Sequence, residues 1–263
     1  MRLTKWQQLC DRGPDLVLCL DFPGGRAAAG FAELAAGTPA ELCFLHIGQS
    51  YSSAVPRLDA QAGEWVREAL GTGRPVRAVL GYCAGAPLAT HVADAICAAE
   101  AVQPPAVMLF DAVAVTGDTL CDQFVSAVES SSAHLAEGEL DDARHWSREL
   151  LGANPADLPR VAAGLTDRYE RLMSGVAERL SLGEFFRDEL TAGFAGYMAY
   201  LLLAEQGGLG MRAGTPLFVS SKDHELPVDP ARGVSFDVDR EQLLRDAEVL
   251  KLVAGALRGE HLL

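Results

Sequence analysis

The chain has 263 residues, 49 % of them hydrophobic, with 36 acidic side chains against 22 basic ones and a formal charge of −14. That length and apolar content can bury a large core, in one α/β domain carrying an insertion or a small cap. The shortage of cations excludes general nucleic-acid binding, which needs Lys and Arg to neutralise phosphates. No apolar run reaches the length of a membrane span.

In chain order, residues 1–13 read as a lead-in helix or an irregular segment. The opening Met-Arg-Leu-Thr-Lys-Trp lacks the apolar stretch of a secretion signal, so a reducing cytoplasm is the expected compartment. The continuous apolar runs Leu16–Leu20 and Leu42–Ile47 read as strands buried on both faces of a parallel sheet. Asp21-Phe22-Pro23-Gly24-Gly25 follows the first of them. Phe31–Ala36 is a short helix, and Asp59–Leu70 a longer one stopped by a glycine-then-proline signal at 71–75. His46, inside the second strand, reads as structural. The six cysteines, Cys10, Cys19, Cys43, Cys83, Cys97 and Cys121, contain no C-x-x-C pair and no zinc spacing, so free thiols are expected, with no metal or cofactor.

The chain is organised around residues 76–91. A β-branched run from Val76 to Leu80 enters Gly81-Tyr82-Cys83-Ala84-Gly85, and an alanine-rich amphipathic stretch follows to Ala99. This is strand, sharp turn, helix. Glycines at −2 and +2 from Cys83 relieve the crowding of a nucleophile held at a strand-to-helix turn. The helix N-terminus beneath it favours negative charge on a sulfur or a carbonyl oxygen. Ala106–Phe110 is the next strand, and Asp111 stands at its carboxyl end, where open α/β sheets form their sites. Residues 116–210 then read as helix upon helix, with no strand. Thr215–Ser221 resumes the sheet and ends in Lys222-Asp223-His224. A short strand over 235–239 and a helix over 240–258 close the chain.

Gly-Tyr-Cys-Ala-Gly in this setting resembles the nucleophile elbow of the α/β-hydrolase superfamily, with cysteine where serine is usual. The Pro-Gly-Gly loop and the segment 16–45 are similar to thioesterases of peptide and polyketide assembly lines. The resemblance implies an α/β-hydrolase fold: a mostly parallel sheet over 1–115 and 211–263, and a helical lid over 116–210, inserted before the penultimate strand. It implies Cys83 as nucleophile, with the Ala84 N–H and either Gly24 or Gly25 as oxyanion donors. Two carboxylates compete for the acid of a triad: Asp111, as in the assembly-line thioesterases, and Asp223, as in dienelactone hydrolases. In both families the base is a histidine in the loop before the final helix. Here that loop reads Asp237-Val238-Asp239-Arg240, and Arg240 or Asp239 takes its place. Arginine cannot act as a base near neutral pH. Of the six histidines, His224 is the best candidate to supply the function from another loop.

Three readings follow. The first is a thioesterase-like enzyme that takes an acyl group from the phosphopantetheine arm of an acyl or peptidyl carrier protein onto Cys83. It then gives that group to water or to another small-molecule acceptor. The second is a dienelactone-hydrolase-like small-molecule hydrolase. The third is a non-catalytic binding protein on a hydrolase fold. Arginines 144, 148, 160, 168, 171, 179 and 187 of the lid read mainly as solvated helix faces, with one or two free to meet a phosphate.

Overall fold

A computed structural model of the chain describes residues 3–22, 30–48, 57–99, 104–211, 214–228 and 231–260. Seven strands form one sheet: β1 (Trp6–Asp11), β2 (Asp15–Leu20), β3 (Leu42–Ile47), β4 (Val76–Tyr82), β5 (Ala106–Phe110), β6 (Leu217–Ser220) and β7 (Gly233–Ser235). Their spatial order is β1-β3-β2-β4-β5-β6-β7, and every pairing is parallel except that of β1 with β3. The middle strands read apolar on both faces because both faces are covered. All of β3 is buried, and so is every residue of β2 after Asp15.

The expectation of a helix or irregular chain over residues 1–13 is corrected by β1. Its sequence, Trp-Gln-Gln-Leu-Cys-Asp, is mostly exposed, as suits an edge strand, and its register slips between Gln8 and Cys10. Trp6 is its buried anchor, donating from Nε1 to the Trp65 carbonyl at 3.0 Å, and Asp11 pairs with Arg74 at 2.9 Å.

On one face, α1 (Phe31–Gly37) and α8 (Ala247–Arg258) cover Val17, Phe44, Leu80, Met108 and Val219. Helices α2 (Leu58–Leu70) and α3 (Ala86–Ala99) form the other layer, where Trp65 and Leu88 are fully buried. Each buried Leu or Val contributes about 1.5–3 kcal/mol. The last helix starts later than the sequence suggests. Asp246 caps it by accepting from the Glu248 and Val249 N–H groups, which leaves 240–245 as a separate turn carrying the buried Leu243 and Leu244.

Four helices lie between β5 and β6 in the chain: α4 (Gly117–Glu129), α5 (Glu139–Ala153), α6 (Leu158–Arg179) and α7 (Glu184–Glu205). Val115–Glu205 belongs to a compact unit distinct from the sheet unit. Its interior is aromatic. Tyr169 stacks on Phe194 at 4.1 Å, and Phe124 meets both Trp146 and Phe194 at 6.2 Å. Thr116 and Asp157 cap α4 and α6. The boundary falls at Glu205, ahead of the expected 210, because residues 206–208 join the sheet unit. There Gln206 accepts from the Leu58 N–H, and Thr90 donates to the Gly208 carbonyl. Several arginines of this helical unit are engaged: Arg144 with Glu129 and Asp141, Arg179 with Glu139, and Arg168 over the Trp146 ring. No described helix is long and apolar enough to cross a membrane.

The strand-to-helix turn depends on Gly81. A Cβ there would lie 2.7 Å from the Ala86 Cα and 2.8 Å from the Gly85 carbonyl oxygen, both rigid backbone. Gly81→Ala should therefore cost about 1–3 kcal/mol. Gly63→Ala, on α2 with nothing within 4 Å of the new methyl, should gain about 0.5–1 kcal/mol from helix propensity. Urea midpoints of the two variants should move in opposite directions.

Candidate active site

The paired residues Tyr82 and Phe110 end β4 and β5 side by side. Cys83 and Asp111 follow them, so they leave adjacent strands at the same level. Both have positive φ, 54° and 39°, a region that costs a residue bearing a Cβ about 1–3 kcal/mol. The backbone is held there by its neighbours. The Asp111 N–H donates to the Val219 carbonyl at 2.9 Å, and the Val113 N–H to the Cys83 carbonyl at 3.3 Å. Cys83 is 9 % exposed and opens a single 3-10 turn that runs into α3.

Asp111 is completely buried. Ser221, just past β6, satisfies it: its N–H donates to Oδ1 at 2.8 Å, and its hydroxyl lies 3.0 Å from both carboxylate oxygens. The remaining side is closed by Arg240, whose Nε stands 3.7 Å from Oδ2.

Arg240 is the centre of the arrangement. Its Nη2 donates to the Cys83 Sγ at 2.9 Å, and its Nε to the Tyr82 hydroxyl at 3.2 Å. The guanidinium carbon lies 5.7 Å from the centre of the Tyr82 ring. About half of the side chain reaches solvent (48 %). Burial of the head works against its charge, but Cys83, the Tyr82 hydroxyl and Asp111 together hold its pKa above the ordinary arginine value. It is a permanent cation. Its backbone is placed by the segment after β7. Phe236 N–H donates to the Ser220 carbonyl at 2.9 Å, Lys222 N–H to the Val238 carbonyl at 3.0 Å, and Lys222 pairs with Asp239 at 2.7 Å.

The other candidates fall elsewhere. His224 has Nε2 3.1 Å from the Ala112 carbonyl oxygen, which fixes that nitrogen as the N–H donor. The side chain that meets Sγ is therefore Arg240, in the place assigned to the missing histidine. Asp223, in a turn with φ 61°, is exposed, whereas Asp111 lies beside Arg240. Ala84 follows Cys83 at the start of the turn, while Gly24 and Gly25 lie outside the described residues. Of the remaining histidines, His91 pairs with Asp59 on the helical layer and His145 with Glu149. Ser221 carries no signal in the sequence beyond its place one residue past a buried strand.

Burial pushes the thiols of Cys19, Cys43 and Cys97 up, and that of Cys121 to about 11.

No family model and no curated protein sequence matches the chain. Solved structures do. A four-domain nonribosomal peptide synthetase bound to AMP and glycine superposes with a TM-score of 0.60 at 13 % identity, over 99 % of this chain and 20 % of that one. The chain thus spans about one fifth of that synthetase. The Vlm2 thioesterase domain bound with a dodecadepsipeptide gives 0.53 at 18 % identity, over 97 % of this chain and 96 % of the other. The type II thioesterase BorB of the borrelidin biosynthetic cluster gives 0.53 at 16 %, over 97 % and 98 %. A haloalkane dehalogenase variant from Bradyrhizobium elkanii gives 0.51 at 13 %, over 97 % and 92 %. The chain has the α/β-hydrolase fold. At these identities the likenesses establish architecture alone.

His46 lies on the same sheet, buried beside the Phe31 ring. Burial pushes its pKa down from 6.5 to about 4. The unfolded chain binds this proton at higher pH than the folded one. The stabilisation is therefore complete above about pH 6.5 and is lost as the pH falls toward 4, by about 3 kcal/mol in all. Urea unfolding of wild type and His46→Gln at pH 7 and pH 4.5 should show the wild type losing about 2–3 kcal/mol more than the variant.

Proposed function

We propose that the chain is an acyl-handling enzyme of the thioesterase type. It takes an acyl group from a carrier-protein thioester of polyketide or nonribosomal peptide assembly onto Cys83 and passes it to an acceptor. The observation that carries this reading is Cys83 at a positive-φ turn before α3, with the Arg240 Nη2 2.9 Å from its sulfur. A cation at that distance gives a negatively charged sulfur a charge-assisted hydrogen bond. Cysteine also needs less help from a base than serine does, since a thiol is already partly ionised near neutral pH.

In the loading step the Cys83 sulfur attacks the thioester carbonyl and forms a new C–S bond. The bond to the pantetheine sulfur breaks, and its electron pair leaves with that sulfur as a thiolate. The Ala84 N–H, at the amino end of the helix, is the donor assigned to the carbonyl oxygen as charge develops there. Asp111 positions Arg240 and does not touch the substrate. The likeness to the Vlm2 thioesterase domain and to BorB supports a carrier-bound substrate. The dienelactone-hydrolase-like alternative draws on Asp223, which is exposed.

Intact-protein mass spectrometry of the chain with an acyl-pantetheine thioester tests the proposal. Wild type should gain the mass of one acyl group, and Cys83→Ala none. Absence of an adduct and of turnover across a panel of acyl chains would leave a binding protein.

A further inference from the structure

We infer that Arg240 selects the acceptor of the acyl group: a thiol arriving in its ionised form, in preference to water. The inference rests on the acyl-Cys83 reading above and specifies the second half of that reaction.

Arg240 touches both the nucleophile and the buried acid, at 2.9 Å and 3.7 Å. A group bridging those two is the one placed to take a proton from a molecule attacking the acyl-Cys83 carbonyl. A guanidinium has five N–H donors and no acceptor, and it does not deprotonate in proteins. Water must lose a proton as it attacks, and Arg240 cannot take it. Among the described residues, Arg240 is the side chain that hydrogen-bonds to the Cys83 sulfur. Asp111 is fully buried, and both its oxygens accept from Ser221. His224 directs its Nε2–H to the Ala112 carbonyl, which leaves Nδ1 as its acceptor, and Asp239 pairs with Lys222.

The same cation suits a thiolate. On acylation the Cys83 sulfur becomes a neutral thioester and can no longer carry negative charge beside Nη2, while half of the arginine side chain stays open to solvent. An incoming thiolate restores that charge and brings no proton to remove. Its sulfur forms a C–S bond to the acyl carbon. The bond from that carbon to Cys83 Sγ breaks, and the electron pair returns to Sγ. Negative charge begins on one sulfur and ends on another, within reach of one guanidinium throughout. A thioester is consumed and a thioester is made, so neither an oxidant nor a proton acceptor is required. Hydrolysis needs a base, and the arginine at position 240 does not supply one.

The test uses wild type, Arg240→Gln and Arg240→His, each loaded with a hexanoyl group from hexanoyl-pantetheine and desalted. Loss of the adduct is followed by intact mass in buffer alone and with millimolar pantetheine. Free hexanoyl-pantetheine with a second thiol gives the uncatalysed ratio of thiolysis to hydrolysis. Wild type should exceed that ratio by at least about 100-fold. Arg240→Gln should lose most of the thiol rate without gaining hydrolysis, and Arg240→His should hydrolyse its adduct at least about 100-fold faster than wild type. A wild-type ratio equal to the uncatalysed one overturns the inference, and this comparison depends on no variant folding. An unchanged thiol rate in Arg240→Gln also overturns it. Failure of wild type to load at all overturns the acyl-Cys83 reading itself, an outcome visible before the acceptor is added.

Discussion

The site depends on one buried carboxylate. Asp111 has no contact with solvent, and a carboxylate in that position is tolerable only when its oxygens are satisfied and its charge is matched. Ser221 provides the hydrogen bonds and Arg240 the charge. That requirement draws the segment after β7 toward the ends of β4 and β5. It also holds the arginine head where a second nitrogen meets the Cys83 sulfur. The Tyr82 hydroxyl and ring then fix the guanidinium plane. Without the carboxylate the arginine would keep only its contacts with Tyr82 and Cys83.

Strain at the strand ends is part of the same design. Cys83 and Asp111 both adopt positive φ on adjacent parallel strands. Two such residues cost a few kcal/mol together, a cost that a sheet covered on both faces can carry. The close approach of Gly81 to Ala86 lets the chain turn sharply enough to lift Cys83 above the sheet. Packing, backbone strain and charge therefore act on one short region, all of it within the sheet unit.

Much of this was legible in the residues. Gly81 and Gly85 around Cys83 marked the turn, and the buried run Ala106–Phe110 placed Asp111 beside it, because strand ends and their order are encoded in apolar runs and breakers. The helical stretch after Asp111 was visible for the same reason, to within five residues of its end. Three features were not visible. Strand β1 is polar and irregular, so no apolar run announces it, and it pairs antiparallel with β3 at the sheet edge. The bond from His224 to the Ala112 carbonyl is a loop-to-loop contact with no local signature. Arg240 could be seen to occupy a histidine's place, but an arginine in a loop gives no sign of its partners. Those partners come from the ends of two neighbouring strands, β4 and β5.

The measurement that bears most directly on the account is the alkylation of Cys83 at a fixed pH by iodoacetate and by iodoacetamide, which differ in charge. Two unit charges 4 Å apart interact by about 1 kcal/mol in water and more near a protein surface. If Arg240 stands at the sulfur, it favours the anionic reagent, and the iodoacetate-to-iodoacetamide rate ratio at Cys83 should fall at least about fivefold in Arg240→Gln. An unchanged ratio would mean that the guanidinium does not govern the charge at the nucleophile, and the account of the site would be wrong.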